Sequence, residues 1–556
     1  MPFGTLPRQG RSKSTADSQS SSQEREFLVI PTMEDHLQMS EMTHLNLPDH
    51  RDRSRSASPA DSLTSSATDI SMLPIAGRTS HKRDDLGLTS HLVFAIAAAA
   101  LGSSFQHGYN TGVTNIPQLL IQKFINDTYF DRHEVLAGES TVTFIFAILV
   151  SIFCVGGMAG ALMTAFVAER FGRKGGLLLN NIFVIIAAVL MGSSKAAKSY
   201  EMLIIGRFFI GFNSGLNAGL APMYLAEISP LHLRGAVGTI YQLVITISIL
   251  VSQVLGLPQI LGTEDRWPFL FAMTLVPSLF MLATMPFCPE SPKYILITQG
   301  RDVSAQKALT WLRGTIEVHD EMDEMRAEYE AMKLVPKVTL HEMWHNPVLR
   351  TPLFISVMVM LSQQLSGINA AIFFSTDIFL SAGLSDADAL NATMGMGSIN
   401  VVMTMVSLIL IERAGRRTLH LTGLAGMMIM TILLTICLAC QKSAPWLSYV
   451  SIICVITFVI MFAIGPGSIP WFLVSELFGQ GARPIATSIA VTVNWSANFV
   501  VGLGFLPLSE VMGVYTFFVF TVLLAGFWLF TYKCVPETKN KTVEEITAIF
   551  RQKAYQ

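Results

Sequence analysis

Amide side chains are concentrated in segments of this sequence that are otherwise apolar. Gln363, Gln364 and Asn369 lie close together in one such segment, and Asn494 lies in another. An amide carries a hydrogen-bond donor and an acceptor on one group, as each hydroxyl of a polyol does. Trp471 follows the sequence Gly-Pro-Gly-Ser-Ile-Pro and could cover an apolar ring face while its N–H donates a hydrogen bond. These residue types favour a site for a neutral, hydroxyl-rich molecule over one for an amino acid, a nucleotide or a metal ion.

Other polar residues follow the same pattern. Gln242 falls on one helix face with Thr239, Thr246 and Gln253, and Asn400 lies in a further apolar segment. The alternative is that the buried amides only hydrogen-bond between helices, as they do in membrane bundles. Amides on five separate segments favour a shared cavity. Removing one of the clustered amides is then expected to weaken ligand binding with little effect on folding.

The elements that must position these amides are membrane helices. The chain has 556 residues, of which 51% are hydrophobic and 14% charged, and its mean hydropathy is +0.48. A soluble domain carries roughly 25% charged residues, and a helix needs about 20 apolar residues to cross a bilayer. Twelve segments have about that length: 92–112, 141–166, 176–193, 200–222, 236–258, 267–287, 348–380, 388–411, 418–438, 447–472, 484–505 and 514–534. The sequence therefore predicts an all-α membrane protein with twelve spans, and Gly367 predicts a break in the long seventh span.

Polar segments divide the chain into five parts. We expect a disordered cytoplasmic N-terminal tail (1–87), a six-helix bundle (88–288), a helical cytoplasmic linker (289–347), a second six-helix bundle (348–535) and a cytoplasmic C-terminal tail (536–556). Compact basic turns fall in alternate loops, and the positive-inside rule places those loops and both termini in the cytoplasm. The opposite face then carries the acceptor sequon at Asn126, where a glycan is expected.

Three short charged motifs occur twice along the chain. Arg-Phe-Gly-Arg-Lys at 170–174 matches Arg-Ala-Gly-Arg-Arg at 413–417, and a Glu–Arg pair and a Pro-Glu motif repeat at nearly the same offset. Each copy follows the corresponding span of its half, so the halves share one orientation and would enclose a cavity at the middle of the membrane. Six residues of these motifs could pair between the halves and control access to that cavity: Glu227, Arg234, Glu412, Arg416, Glu476 and Arg483. Alternatively, they only anchor the loops at the level of the lipid headgroups.

Together these motifs resemble the facilitative glucose transporter family of the major facilitator superfamily. The resemblance covers about residues 88–550. It is carried by GYNTGV at 108–113, ERFGRK at 169–174, GRFFIG at 206–211, PESPK at 289–293, QQLSGIN at 363–369, ERAGRRTL at 412–419, GPGSIPW at 465–471 and VPETK at 535–539. It implies two parallel six-helix repeats at the plasma membrane that bind a hexose between them and work by alternating access. The family's sugar-contacting positions match seven residues here: Gln242, Gln363, Gln364, Asn369, Asn400, Trp471 and Asn494.

Five departures from the family pattern concern selectivity. Met360 stands where the glucose-selective branch has a Gln, and Ala463 replaces a Glu that contacts sugar there. Phe373 and Phe374 replace a Tyr pair, and His107 stands where Phe or Tyr is usual. Rejection of a wrong substrate depends on leaving buried polar groups unpaired. We therefore expect transport of glucose and, because fixed polar contacts are missing, of fructose as well.

Two other functions remain open. Proton-coupled relatives carry an Asp at the position of Asn110, near the Arg that matches Arg207, so this chain is expected to be a uniporter. A proton–sugar symporter would need another acid in the membrane, for which Asp377 is the candidate. A nontransporting sugar sensor would account for the long tail but not for the intact sugar positions. Hexose and lipid are the expected partners, without nucleic acid. No catalytic residue, metal or cofactor is expected, because the sequence has no Ser/His/Asp arrangement, phosphate loop or metal-ligand spacing.

Overall fold

The structure is a computed structural model that describes residues 88–554, except for the side chains of Leu408, Glu412, Lys553 and Ala554. The predicted tail over 1–87 therefore lies outside the described residues. The spans, numbered one to twelve in chain order, are as follows: Ser90–Ala99 with Ala100–Ser104 and Phe105–Gly112; Glu139–Phe171; Arg173–Ser193; Tyr200–Ile228; Arg234–Leu255; Trp267–Ala272 with Leu275–Thr284 and Met285–Phe287; Pro347–Gln364 with Ile368–Ser381; Asp386–Arg413; Arg416–Cys440; Leu447–Ile464 with Ile469–Leu477; Arg483–Met512; and Thr516–Cys534.

Nine helical stretches in the described part are long and apolar enough to cross a membrane. One of them, Arg483–Cys534, contains both span eleven and span twelve, which are separated at Gly513, where φ is +55°. Spans one and four are not among the nine, and both carry buried polar residues that lower their hydropathy. Together these make twelve spans. The predictions of an all-α fold with twelve membrane helices and of a break at Gly367 are confirmed.

Spans two and four pack with their backbones in contact. A Cβ atom added to Gly156 or Gly160 on span two would lie 2.1 Å from a carbonyl oxygen of span four. The relation is reciprocal, because a Cβ at Gly211 or Gly215 would lie 2.1 or 2.0 Å from a carbonyl oxygen of span two. Small residues allow membrane helices to approach this closely and to gain van der Waals contact. The first half is therefore built around a tightly joined helix pair.

The two halves meet mainly along two helix pairs. Span two packs on span eleven, and span five packs on span eight. Spans eight and eleven are the repeats of spans two and five, so exchanging the halves turns one contact into the other. Parallel internal repeats predict this symmetry.

The duplicated charged motifs form the same structure in each half. In the first half, Arg173 Nη2 donates to Glu227 Oε1 (2.8 Å), and Glu290 accepts from the backbone N–H of Arg173 (3.0 Å). In the second half, Arg416 Nε donates to Glu476 Oε1 (3.1 Å). Glu537, the counterpart of Glu290, accepts from the backbone N–H of Arg416 (2.8 Å). The repeat seen in the sequence is therefore a repeat in three dimensions. We call the end of the bundle that carries these motifs the basic end.

Short helices outside the spans pack onto the basic end. They are Tyr294–Thr298, Asp302–Arg313, His319–Lys333, Leu340–His345 and Val543–Ala554. Arg313 Nη1 donates to the carbonyl of Ile228 at the end of span four (2.8 Å), whereas the N–H of Val338 donates to the carbonyl of Gly481 before span eleven (3.4 Å). The segment between spans six and seven thus contacts both halves. Phe550, on the last helix, is 2% exposed within the core of the second half.

Candidate functional site

The polar site forms where span seven stops being helical. Gly367 has a φ of +93°, which a side chain disfavours, and a Cβ there would lie 3.0 Å from the ring of Phe520. The first helix of the span ends at Gln364, and a second begins just after the glycine. This break brings Gln363 and Gln364 next to Asn369.

Four of the predicted sugar-contacting residues form one hydrogen-bonded cluster. Asn494 Nδ2 donates to Gln363 Oε1 (2.6 Å), and Gln364 Nε2 donates to Asn494 Oδ1 (3.0 Å). Asn369 Nδ2 donates to Gln364 Oε1. The four side chains are 3–8% exposed. Because every amide can both donate and accept, the cluster can exchange an internal hydrogen bond for one to a hydroxyl group.

Gln363 also joins span seven to the break in span ten. Its Nε2 donates to the carbonyls of Pro466 (2.8 Å) and Gly467 (2.7 Å). Span ten ends at Ile464 and restarts at Ile469, and carbonyls at a helix end need partners from outside the helix. The same amide therefore supports both interrupted helices.

The other three predicted sugar-contacting residues are not hydrogen-bonded to this cluster in the described part of the chain. Gln242 is exposed, Asn400 is half-buried and Trp471 is 43% exposed. Within the described residues, none of these three side chains forms a hydrogen bond. They are free to bind a ligand, whereas a residue of the cluster must first give up an internal bond.

The residues predicted to set selectivity lie at different places. Met360 is fully buried, and Asn494 Nδ2 donates to its sulfur at 3.6 Å, so it touches the amide cluster. Ala463 is 7% exposed near the break in span ten. Phe373 and Phe374 are fully buried, and Phe374 stacks on a phenylalanine of span eleven with ring centroids 5.4 Å apart. The Phe pair therefore belongs to the apolar core on the far side of the span-seven break.

His107 lies at the contact between the two halves. Its ring stacks on Trp495 of span eleven, with centroids 6.0 Å apart, and its Nδ1 lies 3.3 Å from the hydroxyl of Tyr241 on span five. Sequence reasoning identified His107 and overlooked Tyr241. The available signal was the position of Tyr241 directly before Gln242.

Away from the basic end, a buried asparagine joins the halves. Asn115, just after span one, donates to the carbonyl of Ile372 (2.8 Å) and to Ser375 Oγ (2.7 Å) on span seven. Its Oδ1 accepts from the backbone N–H of Thr376 (3.3 Å). These contacts close this end of the bundle. Sequence reasoning did not identify Asn115, whose role depends on a partner more than 250 residues away.

At the basic end, the predicted gate residues pair inside each half. Glu227 pairs with Arg173, and Glu476 pairs with Arg416, as described above. Arg483 Nη2 donates to the carbonyl of Phe478 in its own half (3.1 Å). Arg234 is half-buried at the start of span five, and the side chain of Glu412 lies outside those described. Pairing between the halves stays a prediction for a conformation in which the basic end is closed.

A second amide network serves the first half and not the cluster. Asn217 Nδ2 donates to Gln106 Oε1 (3.3 Å), and Gln106 Nε2 donates to Asn181 Oδ1 (3.1 Å). Asn180 Nδ2 donates to Asn217 Oδ1 (2.9 Å). These side chains are 0–1% exposed and join spans one, three and four. Here the alternative interpretation of buried amides, hydrogen bonding between helices, is the correct one.

Arg207 is a fully buried cation on span four. Its Nη1 donates to the carbonyl of Asn110 (2.7 Å), and its guanidinium lies 4.6 Å from the centre of the Phe153 ring. Asn110 donates its own amide to Thr274 Oγ1 (2.8 Å). No carboxylate in the described part of the chain pairs with this arginine. The residue beside the arginine is thus a neutral amide that cannot carry a proton in the membrane.

The predicted glycosylation site lies in a helix outside the spans. Asn126 is half-buried within Gln118–His133, and Thr128 of the same sequon is 3% exposed. The attachment of a glycan there stays a prediction.

Known proteins resemble this chain in sequence and in fold. The family model for "Sugar (and other) transporter" matches residues 95–550. The chain is 48% identical over 465 residues to solute carrier family 2, facilitated glucose transporter member 1 of Gallus gallus, which covers 84% of this chain and 94% of that protein. It is 46% identical over 469 residues to member 4 of Homo sapiens, covering 84% and 92%. A solved structure of the xylose transporter XylE from E. coli, in a partially occluded inward open conformation, matches with a TM-score of 0.69 at 25% identity, covering 82% of this chain and 100% of that chain.

These relatives match the chain over both halves and over the segment between them. The resemblance predicted from the motifs is confirmed, as is the twelve-helix major facilitator fold. This multi-pass membrane protein belongs to the sugar transporter family.

Proposed function

We propose that this chain carries hexoses passively across a membrane by alternating access, with glucose as a substrate and fructose as a second one. The observation that carries this proposal is the four-amide cluster at the breaks in spans seven and ten. The cluster offers donors and acceptors without net charge, which suits a neutral sugar. The names of the relatives describe facilitated glucose transporters, and about half of the aligned residues are shared with them. They are transporters and not enzymes, so we assign no catalytic residue.

Alternating access accounts for the asymmetry between the two ends. Asn115 holds spans one and seven together at one end, whereas the ion pairs of the basic end stay inside each half.

In the opposite conformation, in which the basic end is closed, Arg234 and Arg483 would pair across the halves. Replacing either with Ala should favour the present conformation, because only the other state loses a partner. Greater labelling of a cysteine introduced at the basic end would support this, with the exposed Arg413→Ala as control. Equal labelling in all variants would leave only an anchoring role.

Uniport is favoured over proton coupling. The buried Arg207 is hydrogen-bonded to the carbonyl of Asn110, and no acid stands beside it in the described residues. The second candidate function is symport, since a solved relative is named a proton:xylose symporter. Asp377 on span seven is the acid it would use.

Counterflow of labelled sugars in proteoliposomes tests the function directly. The purified full chain should exchange D-glucose and D-fructose but not L-glucose, and liposomes without protein give the background. Net uptake should stop when the sugar concentrations are equal on both sides. Accumulation above the outside concentration, abolished by a protonophore, would establish the symporter instead.

We place the protein in the plasma membrane with both termini in the cytoplasm. The basic turns support this orientation, since such residues concentrate in cytoplasmic loops. A terminal epitope should be reached by antibody only after the cells are permeabilised. Asn126→Gln should abolish a glycosidase-sensitive shift in mobility. An epitope accessible on intact cells would reverse the orientation.

A further inference from the structure

Three aromatic side chains from three spans meet at the contact between the two halves. His107 comes from span one, Tyr241 from span five and Trp495 from span eleven. The imidazole Nδ1 lies 3.3 Å from the Tyr241 hydroxyl, and the imidazole stacks on the indole at 6.0 Å with 25° between the ring planes. Tyr241 directly precedes Gln242, and Trp495 directly follows Asn494. The group therefore joins the two helices that carry predicted sugar contacts in opposite halves.

The partners of the imidazole are themselves held in place. Trp495 is 7% exposed and packs so closely on span two that a Cβ at Gly157 would lie 2.5 Å from its ring. Phe153 meets the same indole edge-on at 6.1 Å. Tyr241 is 8% exposed. His107, which is half-buried, thus has a fixed stacking partner on one side and a fixed hydroxyl at Nδ1.

The hydrogen bonds of Tyr241 and His107 indicate which imidazole nitrogen carries the proton. The Tyr241 hydroxyl has no other partner among the described residues, so within the protein its proton is satisfied by donation to His107 Nδ1. Nδ1 is then the acceptor, and a neutral imidazole carries its proton on Nε2. Nε2 has no hydrogen-bond partner in the described part of the chain. A half-buried N–H in this position requires an acceptor from solvent or from a ligand.

We propose that His107 Nε2 donates a hydrogen bond to one hydroxyl oxygen of the bound hexose, and that Tyr241 is a positioning residue that holds the imidazole in this tautomer. The inference rests on the proposed function and adds a contact from the first half of the chain. A Phe at this position could stack on Trp495 but could not donate a hydrogen bond. The contact therefore replaces part of the polar recognition lost at Met360 and Ala463.

A double-mutant cycle, measured with a series of deoxy sugars, tests the contact. Counterflow of labelled D-glucose is inhibited with each mono-deoxyglucose, in the parent chain, His107→Phe, Tyr241→Phe and the double variant. Loss of one neutral hydrogen bond should lower apparent affinity about 2- to 10-fold. His107→Phe should lower the apparent affinity by this factor for every sugar except the one that lacks the contacted hydroxyl. Tyr241→Phe should follow the same sugar pattern with a smaller factor, and it should have no effect when His107 is already Phe.

Controls separate positioning from general damage. Tyr109→Phe removes another buried tyrosine hydroxyl, which donates to the carbonyl of Leu270 (2.7 Å) in the core of the first half, and should leave the deoxy-sugar pattern unchanged. His107→Gln keeps a donor and should restore part of the affinity if His107→Phe folds poorly. Equal penalties for all sugars, or additive effects of the two substitutions, would overturn the inference while hexose transport stands. Absence of hexose counterflow in the parent chain would overturn the proposed function itself.

Discussion

Gln363 is expected to stabilise the fold as well as bind sugar. The side chain accepts hydrogen bonds from Asn494 (2.6 Å) and Gln364 (3.4 Å), and it donates to the carbonyls of Pro466 and Gly467. Gln363→Ala removes these four contacts, each worth about 0.5–1.5 kcal/mol net for neutral groups. Water that enters the cavity can replace some of them, so we expect a loss of about 1–3 kcal/mol in stability. From the sequence alone, the expected effect on folding was small.

Gln242→Ala is the matched control for this prediction. Gln242 is exposed and has no hydrogen bond within the described residues, so its removal should weaken sugar binding without changing stability. Thermal unfolding of the purified proteins in one detergent, followed by tryptophan fluorescence, measures stability, and sugar competition measures affinity. Gln363→Ala should unfold several degrees below the parent, whereas Gln242→Ala should unfold at the same temperature as the parent. If the two variants unfold at the same temperature, the structural role assigned to Gln363 is wrong.

Three further predictions concern selectivity, the end closed by Asn115 and the break in span seven. Met360→Gln with Ala463→Glu should shift the transport ratio from fructose toward glucose, because both restore polar contacts near the cluster; failure of excess fructose to slow glucose uptake in the parent would remove the premise. Asn115→Ala should release the closed end, since Ile372 and Ser375 lose their shared partner, and should increase modification of a cysteine introduced there; unchanged modification would mean that apolar packing closes this end. Gly367→Ala should cost about 1–2 kcal/mol from its left-handed backbone conformation, with a further term from the Phe520 contact, and Gly504→Ala, which has open space around it, should be nearly neutral when thermal unfolding is compared.

Much of the fold follows from local sequence. Apolar length sets the number of spans, and repeated motifs set the symmetry between the halves. Gly367 and Pro466 mark breaks because one requires a backbone that side chains disfavour and the other lacks an N–H. In the site, the residues adjacent in sequence, Gln363 and Gln364, were found together with Asn369. Their grouping needed only a helix and one break in it.

The tertiary structure decides which side chains contact one another across the bundle. The sequence pattern of buried amides is the same for Asn181, which joins helices of the first half, and for Asn494, which joins the candidate site. Periodicity places a residue on a helix face but does not state which helix that face meets. The pairing of Arg173 with Glu227, the closure by Asn115 and the meeting of His107 with Tyr241 depend on the rotation and register of packed helices. The sequence by itself determined which polar residues enter the membrane, because each must be satisfied there. Only packing determined which of them satisfy one another and which remain free for a ligand.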